Sequence, residues 1–316
     1  MTKLSEDKII KIFQTKLGNK KFVSEDVETF TLGKTKVIAK TDTMVESTDI
    51  PKKMKLSDAA RKSVIACVSD FAAKGVKPEY GIISINLPKT ISRVKIDNIV
   101  NGFKKACKEY GISIIGGDTN AGKEIVFNVC IFGNSNSIVT RKGSNKDDLI
   151  FVTGPFGYTS IGLNILMNNK KEKNNFVKKS IKSVINPKPK LSFGLKNKKY
   201  FSSSMDSSDG LSTTLNEMAK QSGKKFIVNN MPSNKDLEDY VKKKNLNLNS
   251  IIFNGGEEYE FVFTVPIKYR KNIIKNAKLT KTPIIEIGYV TSGKGVFLKN
   301  VNKNIIIKDL GWKHFK

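Results

Sequence analysis

Five aspartates stand where structure alone gives them little to do. Asp42 lies in the polar cluster Lys40-Thr41-Asp42-Thr43 that follows the apolar run Val37-Ile38-Ala39. Asp70 lies in Val68-Ser69-Asp70-Phe71-Ala72-Ala73-Lys74-Gly75. Asp118 follows two glycines in Gly116-Gly117-Asp118-Thr119, and Asp206 and Asp209 share Ser204-Met205-Asp206-Ser207-Ser208-Asp209-Gly210-Leu211. Asp70 sits near the C-terminal end of a helical stretch, where a carboxylate opposes the negative end of the helix dipole at a cost of about 0.3–1 kcal/mol unless compensated. The others have plain structural uses: Asp209 as a helix N-cap, Asp118 as a turn residue, Asp42 as a loop residue at a strand end. If all five converge they repel one another, and a hard divalent cation is the usual remedy. Magnesium suits such carboxylates, and phosphoryl chemistry uses it to bridge phosphate oxygens.

Other chemistries are poorly provided for. His314 is the only histidine, no CxxC occurs, and Cys67, Cys107 and Cys130 are scattered through apolar stretches as buried small residues would be. This excludes zinc held by Cys and His. It also excludes a His-dependent triad unless His314 folds back into a site. Neither a GxxxxGK[ST] loop nor a kinase glycine-rich loop is present. Gly154-Pro155-Phe156-Gly157, entering a helix, could offer backbone N–H groups to a phosphate, although a tight strand-to-helix turn explains it as well.

The elements that must position these residues follow from periodicity. A strand is expected over 36–39, ending in the polar cluster Lys40-Thr41-Asp42-Thr43. A helix over 58–74 has Ser57 as its N-cap and Gly75 as its stop. Then come a strand over 82–87, a helix over 96–110, and strands over 112–115 and 125–132. Beyond the polar run 141–148 a second series begins: a strand over 149–153, a helix ending near Met167, a basic stretch over 168–190 with a solvated helix, and a helix from Asp209 to Gln221 closed by Gly223. Strands over 225–228, 251–253 and 259–265 follow, and 283–298 reads as a hairpin around Ser292-Gly293-Lys294-Gly295. This is a mixed α+β chain whose 316 residues divide into two domains, 1–142 and 143–316.

The formal net charge of +27 invites a nucleic-acid reading. Its texture argues against one. Arg61, Arg93, Arg141 and Arg270 are the only arginines among 56 basic residues, and the lysines are spread without interleaved aromatics. The same field still favours anionic small substrates. With no secretory leader and no apolar run long enough to span a membrane, a cytoplasmic protein without a membrane partner is expected.

Taken together the segments resemble the thiamine-monophosphate kinase family, within the superfamily of aminoimidazole ribonucleotide synthetase. The anchors are Thr41-Asp42-Thr43-Met44-Val45-Glu46, the Asp70 and Gly116–Thr119 segments, Met205-Asp206-Ser207-Ser208-Asp209-Gly210-Leu211 and Gly255-Gly256-Glu257-Glu258-Tyr259-Glu260. The resemblance implies phosphorylation of thiamine monophosphate by ATP, with several Mg2+ ions and direct in-line transfer. A different kinase or ligase of the superfamily is the alternative. It implies metal ligation by Asp26, Thr41, Asp42, Asp70, Asp118, Asp206 and Asp209. ATP contacts fall at Gly117, Asp118, Arg141 and Ser208, and substrate contacts at Asp49, Glu257, Glu260, Trp312 and Phe315. It further implies a homodimer in which the N-terminal domains pair into a β-barrel. The chain departs from the family at Ser24-Glu25-Asp26-Val27, where Gly-Asp-Asp-Ala is usual. It departs again at Lys40, where a hydroxyl residue is common, and at Glu258, which stands in for an aspartate. At Val45-Glu46-Ser47-Thr48-Asp49-Ile50 many members carry a histidine. The Lys40 ammonium is expected to replace part of one metal's charge.

Overall fold

The structure is a computed structural model that describes residues 4–18, 23–168, 172, 174–300 and 304–313. The first series of elements is α1 (Glu6–Lys16), β1 (Glu28–Leu32), β2 (Thr35–Val45), α2 (Glu46–Asp49), α3 (Leu56–Lys74), β3 (Tyr80–Pro88), α4 (Arg93–Tyr110), β4 (Ser113–Gly122) and β5 (Val126–Asn134). Its strands form one five-stranded sheet in the order β1-β2-β5-β3-β4, antiparallel except for the β3–β4 pair. The sheet is open, with β1 and β4 as its edges, and it closes into no barrel among the described residues.

The second series is β6 (Leu149–Val152), α5 (Tyr158–Met167), α6 (Asn175–Ile185), α7 (Leu191–Asn197), β7 (Ser203–Ser207), α8 (Leu211–Ser222), β8 (Lys225–Val228), α9 (Lys235–Lys243), α10 (Leu248–Phe253), β9 (Glu260–Val265), α11 (Arg270–Leu279), β10 (Ile285–Thr291), β11 (Gly295–Leu298) and β12 (Ile305–Ile306). Its strands make a seven-stranded sheet in the order β12-β11-β8-β10-β6-β9-β7.

Helix α3 binds the two sheets together. On one side Val64, Val68 and Phe71 pack against Ile38, Val129 and Ile131 of the first sheet. On the other, Ala72 and Ala73 pack with Phe193, Phe261 and Phe263 around the second. A helix buried on every face should be apolar all round, yet Arg61, Lys62, Ser63, Ser69, Asp70 and Lys74 are buried along it too. Polar groups in such a place must be partnered, and their partners define the site below. Gly75 ends the helix in the left-handed region at φ 64°, as expected.

Several expectations are corrected. The polar cluster Lys40–Thr43 is no strand end: β2 runs through it, with Asp42 opposite Val129, because the ladder to β5 outweighs side-chain polarity. Asp118 likewise lies inside β4, opposite Ser84, and not in a turn. α3 starts two residues earlier than Ser57 suggests, at Leu56, with Lys55 at the capping position and no side-chain cap. Gly210, not Asp209, precedes α8. The run Ile251–Phe253 is helical, since Asn247 caps Ser250 N–H and Ile252 and Phe253 turn inward on the same short helix. β10 and β11 form no hairpin: β8 lies between them, antiparallel to β10 and parallel to β11. A split pair and a hairpin carry the same apolar alternation and glycine turn, so only the buried β8 decides between them.

Candidate functional site

The site forms where α3 passes between β2 of the first sheet and β7 of the second. Strand alternation turns Ile38, Lys40, Asp42 and Met44 to one face of β2 and Thr41 and Thr43 to the other. Lys40 Nζ lies 2.9 Å from Asp70 Oδ2 on α3 and 3.7 Å from Asp42 Oδ2. One helical turn apart on the same face as Asp70, Lys74 points to the opposite end of the cluster. Its Nζ lies 2.7 Å from Glu25 Oε2, 3.0 Å from Asp26 Oδ2 and 2.8 Å from the Ser204 carbonyl. Arg141 completes that end: Nε and Nη2 donate to Asp26 Oδ1 at 2.8 and 2.5 Å, and Nη1 donates to Ser24 Oγ. Asp206 on β7 is drawn in from the second sheet. Its N–H donates to Asp26 Oδ2 at 3.1 Å, and its carboxylate accepts from Ser69 Oγ.

The charges respond as this crowding requires. Burial foremost, then the neighbouring Asp26 and Asp42 carboxylates, push Asp70 up to about 7 against the pull of Lys40. Burial and Asp70 hold Asp206 well above the usual carboxylate range. Burial would raise Asp26 too, but Lys74 and Arg141 outweigh it and hold that group at about 2. Lys40 is kept charged by Asp70 and Asp42 in spite of its burial. One end of the cluster is thus neutralised from within, while the Asp42, Asp70 and Asp206 end is short of positive charge.

A second group of contacts joins the 255–260 segment to this cluster. Glu257 and Tyr259 adopt left-handed backbone at φ 63° and 50°, a strain of order 1–3 kcal/mol each that functional loops commonly hold. Glu257 N–H donates to the Ser208 carbonyl at 2.6 Å, and its Oε1 lies 2.6 Å from the wholly buried Lys62 Nζ. The Tyr259 carbonyl accepts from Ser69 Oγ. Glu260 is held by Lys190 at 2.9 Å and by Thr153 Oγ1 at 2.5 Å. Glu258 is buried, which pushes its carboxyl up to about 8, and it accepts the Gly157 N–H at 2.6 Å. The Gly154–Gly157 turn, a sequence candidate for phosphate, therefore already has one N–H committed to a carboxylate of the chain.

The structure brings Asp26, Asp42, Asp70, Asp206 and Arg141 together. Thr41 faces away from Asp42 across β2. Gly117 and Asp118 sit on the exposed edge strand β4, and no ion pair joins Asp118 to the cluster among the described residues. Ser208 and Asp209 are exposed at the mouth of α8, where the Asp209 carbonyl accepts the Trp312 N–H at 2.8 Å. That bond brings the C-terminal tail and the exposed Trp312 ring to the β7–α8 turn. Asp49 Oδ2 accepts the Val45 N–H at 2.7 Å. Phe315 lies outside the described residues. Sequence reasoning missed Lys62, Lys74, Lys190, Ser69 and Glu25. The one signal for the two α3 lysines was their place on a helix rich in small and apolar residues.

Among the described residues no three Asp, Glu, His or Cys side chains are already drawn into a coordination sphere. The donor chemistry nonetheless fits magnesium. Asp42, Asp70 and Asp206 offer only hard oxygens, and burial together with mutual repulsion holds the two buried ones above their usual range.

Comparison with known proteins gives the family and the fold. Residues 24–134 match the family described as AIR synthase related protein, N-terminal domain. The chain is 66% identical over its full length, and over the full length of the relative, to thiamine-monophosphate kinase of Nitrosopumilus maritimus (strain SCM1). It is 30% identical to thiamine-monophosphate kinase of Pyrococcus horikoshii, covering all of this chain and 98% of that one. Among solved structures, AaThiL complexed with AMPPCP and TMP superposes with a TM-score of 0.87 at 28% identity, covering 99% of this chain and 98% of that one. An acidic cluster at the seam of two sheets, in an α+β fold shared end to end with these proteins, leaves one assignment: the chain belongs to the thiamine-monophosphate kinase family.

Proposed function

We propose that this chain transfers the γ-phosphoryl group of ATP to the phosphate of thiamine monophosphate, giving thiamine diphosphate and ADP. The observation that carries the reading is the convergence of Asp42, Asp70 and Asp206 at one buried seam. Both reactants are polyanions, so positive charge is needed where they meet. Asp42, Asp70 and Asp206 would hold Mg2+, which would supply that positive charge when bound. No general base is demanded, because the attacking phosphate oxygen is already ionised. The absence of histidine from the described site is consistent with that.

The chain's own residues orient the reactants. Arg141, fixed by Asp26 and Ser24, and Ser208, fixed through its carbonyl by Glu257, are assigned to ATP, with Gly117 and Asp118 on β4. Asp209 and the Thr41 segment are assigned to further metal contacts. Glu257, Glu260, Asp49 and Trp312 are assigned to the thiamine moiety. A carboxylate and an aromatic face suit a cationic thiazolium ring, and Lys62 and Lys190 hold the two glutamates in place. The chain is divided at residues 142/143, a division supported by the separate strand sets of the two sheets.

The open edges β1 and β4 carry exposed Phe30, Leu32, Ile114 and Ile115, a surface that favours pairing with a second copy into a homodimeric barrel. Among the described residues no helix is long and apolar enough to cross a membrane, and a cytoplasmic location is the natural reading for this chemistry. The test is chromatographic: the purified chain with ATP, Mg2+ and thiamine monophosphate should yield thiamine diphosphate. ATP bound but no product formed would overturn the acceptor.

A further inference from the structure

At the Asp26 end of the cluster every acceptor is already used. Asp26 Oδ1 takes two N–H groups of Arg141, and Oδ2 takes Lys74 Nζ and the Asp206 N–H. Glu25 takes the same ammonium on Oε2 and the Arg141 backbone N–H on both oxygens. Lys74 is wholly buried, and its three acceptors match its three protons. A divalent ion there would have to displace a buried ammonium that has nowhere to go. Formal charge agrees: Glu25 and Asp26 are balanced by Lys74 and Arg141. Among the described residues Asp42, Asp70 and Asp206 face Lys40 alone, which leaves a deficit of two positive charges. That deficit is one divalent ion.

We propose that Lys74 is a resident cation standing where the family resemblance would place a metal on Asp26, so that before nucleotide binds the chain holds one divalent ion, on Asp42, Asp70 and Asp206. Arg141 shares this role by fixing Asp26 from the other side, and helix α3 supplies both the metal-side Asp70 and the ammonium four residues later. The inference rests on reading the cluster as a magnesium site. It changes what the Asp26 segment does: Ser24-Glu25-Asp26 anchors α3 to the Arg141 loop and leaves ion binding to the other three carboxylates.

The test counts Mn2+ bound by the nucleotide-free full chain, by equilibrium dialysis and by loss of the free-ion paramagnetic resonance signal. The wild type should bind one equivalent tightly. Asp26→Asn, which leaves Lys74 its Glu25 and Ser204 partners, should bind the same number, whereas Asp206→Asn should weaken binding at least tenfold. Lys74→Met should gain a second equivalent, and its melting temperature should rise with Mn2+ more than that of the wild type. Should Lys74→Met fail to fold, Asp26→Asn still decides. Loss of an equivalent in Asp26→Asn, or two equivalents in the wild type, would overturn the proposal while leaving the kinase reading intact. No Mn2+ bound by the wild type would instead undo the magnesium reading itself.

Discussion

Asp70→Asn keeps the shape of the side chain and removes its charge, which isolates what the buried carboxylate costs the metal-free fold. The Asp70 carboxyl rises from 3.8 to about 7 on folding, through burial and the Asp26 and Asp42 charges. An acid whose pKa is raised by folding stabilises fully below its unfolded value and loses that contribution as pH climbs through the folded one. The window is therefore about pH 4 to 7. A shift of roughly 3 pH units corresponds to about 4 kcal/mol, and coupling to Lys40 and its neighbours reduces this to ~2–4 kcal/mol. Lys40 keeps Asp42 and some water after the substitution, so its own loss is less than about 1 kcal/mol. For a chain of 316 residues the net effect is a melting shift of about 2–6 °C. Thermal unfolding followed by circular dichroism in EDTA from pH 4 to 8 checks it. The two proteins should melt together near pH 4, and the variant should melt higher at pH 8. Mg2+ added at pH 8 should lift the wild type and leave the variant nearly unmoved. Parallel curves across the range, or a variant that is less stable at pH 8, would refute the reasoning.

Two further outcomes follow from packing and edges. Gly117→Ala places a Cβ against the Ile83 carbonyl oxygen of the paired strand β3, so β4 must shift. Stability should fall by about 2–4 kcal/mol in urea denaturation, and an unchanged midpoint would show the strand pair to be looser than described. Ile115→Lys puts a charge on the exposed edge strand β4. Sedimentation should show monomer in the variant and dimer in the wild type, and equal masses would move the pairing surface elsewhere.

Sequence reasoning found the cluster but not its wiring. Asp42, Asp70 and Asp206 were legible because they recur at strand and helix ends in a chain where acidic residues are scarce, and Asp26 only through the family resemblance. Their partners were not. Lys74 and Lys62 look like any of the chain's many lysines until α3 is seen to be buried on every face, which only the docking of both sheets imposes. Lys40 was the exception, marked by standing where a hydroxyl residue is common. The glycine-rich GGDT segment read as a turn because glycine and aspartate favour turns, but the β3 ladder holds it extended. The apparent hairpin at 283–298 failed for a similar reason: local alternation sets which face a residue takes, while the neighbouring strand is chosen by long-range burial of β8. Helix limits fared better, with Gly75 and Gly223 ending α3 and α8 as their left-handed geometry requires.

The most direct measurement is phosphorus magnetic resonance of a mixture of the chain, ATP, Mg2+ and thiamine monophosphate, run beside Asp206→Asn. The account predicts ADP and thiamine diphosphate appearing in equal amounts in the wild type, no free phosphate, and loss of at least a hundredfold in rate in the variant. ADP accompanied by inorganic phosphate alone, or undiminished transfer by Asp206→Asn, would contradict it.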